Sequence, residues 1–98
     1  MSSRSKGQDT ERKAVKILIN QGYETYRVKG STRFNKNVDM FGLFDIIAIK
    51  PNIVKLIQCK TNQKPNTDMF NAFKERYPQF EVEIWIWYNY KGFRILHC

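Results

Sequence analysis

The chain has 98 residues, enough for one domain with a modest core. Seventeen Lys and Arg against nine Asp and Glu give a formal charge of +8, which favours a polyanionic partner, with nucleic acid the first candidate. No apolar run is long enough to cross a bilayer, and two cysteines, Cys59 and Cys98, make neither a disulfide framework nor a zinc site.

The N-terminal run lacks the apolar centre of a signal peptide, so an intracellular, cytoplasmic protein with reduced thiols is expected. Residues 1–98 read as a single domain, with 1–7 a flexible basic tail. The first helix is expected over residues 9–21, with Asp9 as N-cap and Gly22 as the C-terminal stop. Ala14, Val15, Leu18 and Ile19 form its apolar stripe, and one turn back along that stripe lies Glu11. An acid aligned with a buried face is unusual, although the helix dipole alone favours glutamate in a first turn. Arg12, Lys13 and Lys16 turn outward and are candidate phosphate contacts.

Residues 23–28 read as a first strand. The polar, basic stretch that follows reads as a loop in which Lys29 and Arg33 are candidate nucleic-acid contacts and Ser31 a weaker one. Asp39 is expected to cap a turn, or to approach the site if the chain turns at Gly42. Residues 44–50 and 54–60 are rich in β-branched and apolar side chains, and Pro51-Asn52 between them is turn chemistry, so an antiparallel hairpin is expected. Strand alternation puts Gln58 and Lys60 on one face and Cys59 on the other. Asp45, at the start of one strand, would lie near the end of its partner. A carboxylate, an amide oxygen and an ammonium in one small volume suit a hard-cation site with a lysine beside it. The plainer reading is an Asp–Lys ion pair at a sheet edge.

A second helix is expected over residues 67–77, capped by Asn66 or Thr67, with Met69, Phe70 and Phe73 inward. Residues 81–88 are the most apolar strand, expected to be central and parallel to a neighbour through a right-handed crossover. A homodimer contact or base stacking by Trp85 or Trp87 ranks below core packing. Residues 93–97 close the sheet, and the lone His97 receives no catalytic role.

The order Glu11, Asp45, hairpin, Gln58-Cys59-Lys60 resembles the PD-(D/E)XK nuclease superfamily, in particular the small archaeal-type Holliday junction resolvases and the virus-type replication-repair nuclease modules. The resemblance covers roughly the first two thirds of the chain. It implies an α/β restriction-endonuclease-like core, a mixed sheet of about five strands flanked by two helices in the order α-β-β-β-α-β-β. It implies a metal-dependent DNA endonuclease acting on branched DNA such as a Holliday junction or flap. By the same resemblance magnesium, or manganese in its place, is held by Asp45, the Gln58 side chain, the Cys59 carbonyl and Glu11, with Lys60 beside the nucleophilic water. A resolvase makes two matched cuts, so a homodimer is a candidate assembly. Two departures stand out: Phe44 replaces the proline before the motif aspartate, and Gln58 replaces the motif acid. Loss of that carboxylate weakens a hard-cation site. The alternative is therefore a catalytically inactive DNA-binding module on a degenerate nuclease fold.

Overall fold

The computed structural model describes residues 3–28 and 43–98, with side chains from residue 9 onward. Helix α1 spans Ser3–Asn20, followed by strands β1 (Glu24–Arg27), β2 (Ile46–Lys50) and β3 (Ile53–Thr61). Helix α2 (Asp68–Arg76), β4 (Glu81–Tyr88) and β5 (Gly92–His97) complete the described order, which is the one expected. The five strands lie side by side in sequence order. Every neighbouring pair is antiparallel except β3–β4, which α2 connects as a parallel crossover.

Helix α1 begins earlier than its sequence signals suggest. Ser3–Gly7 belong to the helix rather than to a tail, and Asp9 is an interior position that pairs with Arg12 at 3.2 Å instead of capping. Its C-terminus is as expected. Gly22 adopts φ +94°, its N–H bonds the Ile19 carbonyl at 2.9 Å, and the Tyr23 N–H reaches back to Leu18 at 3.0 Å. This is the double closure of a Schellman motif, whose left-handed position favours glycine. The buried stripe is Thr10, Ala14 and Leu18 with Val15 alongside, while Ile19 is 55% exposed and leaves it.

The hairpin turns at Pro51-Asn52, with Asn52 at φ 69°, a conformation asparagine tolerates. The two faces of the sheet then bury two separate cores. Ile46, Ala48, Ile57, Cys59 and Trp85 pack under α1, and Phe44, Leu56, Val82, Ile84 and Ile86 pack under α2. Helix α2 presents Phe70 and Phe73, each edge-on to Phe44 with ring centroids 5.8 and 5.1 Å away. Met69, expected inward, is 63% exposed. The cap is shared: Thr67 is the N-cap without a side-chain bond, and the Asn66 Oδ1 accepts the Asp68 N–H at 2.9 Å. Both cysteines are free thiols. Among the described residues no helix is long and apolar enough to cross a membrane.

Strand β4 is interior, paired on both sides and largely buried on both faces, and it carries one buried charge. Glu83 is 3% exposed. Its carboxylate accepts the Trp85 indole N–H at 2.8 Å, pairs with the Lys55 Nζ at 3.0 Å and lies 3.4 Å from the His97 Nδ1. Burial pulls the Lys55 pKa down, but hydrogen bonds and charge from Glu83 and Tyr23 outweigh it and leave the group above 10.5. Removing one partner of a buried pair leaves the other uncompensated. Lys55→Met is accordingly expected to lower unfolding stability by about 3 kcal/mol at neutral pH, measured by urea denaturation. A group with a raised folded pKa stabilises fully below its unfolded value and loses that contribution as pH rises through the folded one. The difference between Lys55→Met and the unmodified chain should therefore shrink above pH 10.5.

Candidate active site

Strand β3 outruns its partner. Its pairing with β2 ends at Ile46–Ile57, whereas its pairing with β4 continues to Thr61–Trp87. Among the described residues the β2 side of β3 is thus a broken edge beyond Ile57, and Asp45 stands at the break. The Asp45 N–H bonds the Ile57 carbonyl at 2.8 Å, and its Oδ2 accepts the Cys59 N–H at 3.0 Å. The carboxylate takes the place of a ladder carbonyl. Phe44, one residue earlier, is fully buried against α2 and fixes this approach from below.

In a strand the N–H and C=O of one residue point to the same edge. The Cys59 carbonyl therefore opens on the side where Asp45 sits. Gln58 lies against it, its Nε2 donating to the Cys59 carbonyl oxygen at 3.3 Å. Among the described residues the Gln58 amide oxygen carries no hydrogen bond. Gln58 and Lys60 share the sheet face of Ile84 and Ile86, their partners on β4, and Cys59 faces α1, as strand alternation predicts. Among the described residues Lys60 forms no ion pair. The plain Asp45–Lys60 salt bridge is absent, so it does not account for these residues.

Glu11 approaches from α1. It is half-buried and held by Arg27 of β1, whose Nη2 and Nε donate to the Glu11 Oε1 at 2.9 and 3.2 Å. The Cys59 thiol lies in the field of these groups. Burial pushes its pKa far up, the Asp45 and Glu11 carboxylates push it further, and Arg27 opposes them. Cys59 is thus a neutral packing thiol and not a nucleophile. Arg27 was not among the residues singled out from sequence. Its signal was faint: a basic residue at the end of the strand next to the acid-bearing helix.

The outlying basic candidates are dispersed. Arg12 and Lys16 are exposed on α1, and the Lys13 ammonium lies 4.0 Å above the Trp87 ring. That contact gives Trp87 a packing partner. Lys29, Ser31, Arg33 and Asp39 lie outside the described residues.

Glu11, Asp45, the Gln58 amide oxygen and the Cys59 carbonyl are all oxygen donors, the chemistry that suits a hard divalent cation keeping much of its water. Among the described residues no three His, Cys, Asp or Glu side chains cluster as a metal site would, and Gln58 stands where the resembled motif carries an acid.

Comparison with known proteins agrees with this geometry. Residues 2–71 match the family model of the archaeal Holliday junction resolvase (Hjc). Among solved structures the chain is similar to Hjc of Archaeoglobus fulgidus, a Holliday junction resolvase from an archaeal hyperthermophile, with a TM-score of 0.67. The two are 18% identical, over 94% of this chain and 72% of that one, which shows a shared fold. No curated protein sequence matches the chain. Because the family model spans the first helix, the broken β2–β3 edge and the Gln58-Cys59-Lys60 run, the chain belongs to the archaeal Holliday junction resolvase family.

Proposed function

We propose that the chain is a metal-dependent endonuclease that hydrolyses phosphodiester bonds in branched DNA. The observation that carries this reading is the placement of Asp45 on the Cys59 main chain, at a broken sheet edge flanked by Gln58 and Lys60. Asp45, the Gln58 amide oxygen, the Cys59 carbonyl and Glu11 would hold magnesium, with manganese able to replace it. Such an ion supplies Lewis-acid charge stabilisation and a more acidic bound water.

The chain's own groups do the rest. Lys60, with no counter-ion among the described residues, places its ammonium where charge develops on the attacked phosphate. Arg27 orients the Glu11 carboxylate through two bonds to one oxygen and leaves the other for the site. The Cys59 N–H fixes the Asp45 rotamer through Oδ2. Arg12, Lys16, Lys29 and Arg33 are proposed to hold phosphates away from the cut, supported by the formal charge of +8. Two matched cuts across a junction call for two copies of the site, hence a homodimer.

The catalytically inactive DNA-binding module is the second reading, and the amide at position 58 favours it. A cleavage assay on labelled four-way junction, flap, single-stranded and linear DNA, in magnesium, manganese and EDTA, separates the two. A nuclease cuts branched DNA only with metal, and Asp45→Ala and Lys60→Ala each lower the rate at least a hundredfold while binding persists. Binding without cleavage in either metal sinks the enzymatic reading. Gln58→Glu is expected to lower the magnesium concentration for half-maximal cleavage several-fold. Arg27→Gln should slow cleavage about tenfold, on the order of 1.4 kcal/mol, and raise the metal requirement, read from a metal titration.

A further inference from the structure

We propose that the β4–β5 turn is a second DNA contact, in which the Tyr90 ring stacks on a base face exposed at a branch point while Lys91 and Arg94 hold the neighbouring phosphates. This rests on the DNA reading above and adds the feature of the substrate that the turn would recognise.

Tyr90 is fully exposed at the tip of the turn, at φ 70°. The turn is closed by the Lys91 N–H on the Tyr88 carbonyl at 3.0 Å, so Tyr90 occupies its second central position. That position suits glycine or asparagine, and a bulky side chain there is strained. An aromatic ring held out in water by an unfavourable backbone gains nothing for folding.

The turn is also placed for the site. It lies at the end of the sheet that carries Lys60, and Asn62, two residues on, ties the two together. The Asn62 N–H bonds the Trp87 carbonyl at 2.7 Å, and its Oδ1 accepts the Asn89 N–H at 3.0 Å. Lys60, Ile86 and Arg94 are successive cross-strand partners on one face. At one strand spacing each, Arg94 stands roughly 10 Å from Lys60. A cleft of about 260 Å³, lined by Tyr88, Lys91, Gly92, Phe93 and Arg94, opens beside it. That is smaller than an ordinary small-molecule pocket and suits one planar base.

Residues 88–94 hold two cations and no acid, so the complementary partner is anionic. Stacking on an aromatic ring needs an uncovered base face. A continuous duplex offers that only at its ends, whereas a branch point offers it internally. The turn would thus favour junctions over linear DNA.

The test measures affinity of the full chain for a four-way junction and for a linear duplex of the same arm sequence with blocked ends, in EDTA and again in calcium. Tyr90→Gly and Tyr90→Asn relieve the backbone strain, and Tyr90→Phe keeps the ring. Tyr90→Gly and Tyr90→Asn are expected to weaken junction binding about tenfold, leave duplex binding within about twofold, and hold or raise the melting temperature. Tyr90→Phe should bind like the unmodified chain. Arg94→Gln should weaken junction binding several-fold and flatten its salt dependence. Equal losses on both DNAs, or no loss for Tyr90→Gly and Tyr90→Asn, would overturn the proposal and leave the nuclease reading standing. Failure of the unmodified chain to bind either DNA would fail the DNA reading itself, and this inference with it.

Discussion

The arrangement depends on one stretch of backbone, the Cys59 peptide at the broken edge of β3. Its N–H is taken by Asp45, its carbonyl by the Gln58 amide, and its side chain is sealed beneath α1. Strand alternation then determines the neighbours, with Gln58 and Lys60 together on the opposite face. Had β2 continued one pair further, a main-chain carbonyl would have taken the Cys59 N–H and no carboxylate would be held there. The end of the β2–β3 ladder is therefore what creates the site. Phe44, just before the break, is buried under α2 and anchors the chain on that side.

Two kinds of charge are built into the α1 side of the sheet, and the structure treats them differently. Glu83 is buried and answered on three sides, by Lys55, by the Trp85 indole and by His97. Glu11 is half-buried and answered from one side by Arg27. A carboxylate with all its oxygens satisfied stabilises a fold once it is paired, whereas one with an oxygen left over keeps a donor in reserve. The same contrast holds for the lysines, since Lys55 has a counter-ion and Lys60 has none among the described residues.

The order of elements was legible in the sequence because the relevant signals are local. Alternation and the Pro51-Asn52 turn mark the hairpin, Gly22 stops α1, and the apolar run at 81–88 marks an interior strand. The positions proposed for the site rest on helix and strand periodicity: Gln58 and Lys60 do share one face, whereas the fully buried line of α1 runs through Thr10, Ala14 and Leu18 and Glu11 lies half-buried beside it. What escaped depends on distant partners. Ile19 and Met69 have the right chemistry for the core but fall just off the faces that the sheet covers. Asp9 looked like a cap, yet the helix already runs from Ser3, where the polar residues give no apolar period to follow. Glu83 sits in a strand read as apolar on both faces, and the convergence of Lys55, Trp85 and His97 on its carboxylate accompanies its burial. Arg27 belongs to the same class, for its meaning lies in a contact 16 residues away.

The glutamine at position 58 changes the balance of the site more than its shape. Glu11 and Asp45 bring two negative charges and Arg27 and Lys60 two positive ones, so the four groups sum to zero before any cation arrives. With an acid at 58 the same set would carry one net negative charge. On the proposed reading, the neutral version holds a divalent cation less strongly but repels a phosphodiester less. Binding of metal and binding of DNA are then coupled: each cation that enters makes the site more positive for the phosphate, and each phosphate that docks restores the charge the amide withholds. An active site lacking one acid in this way draws part of its metal affinity from its substrate.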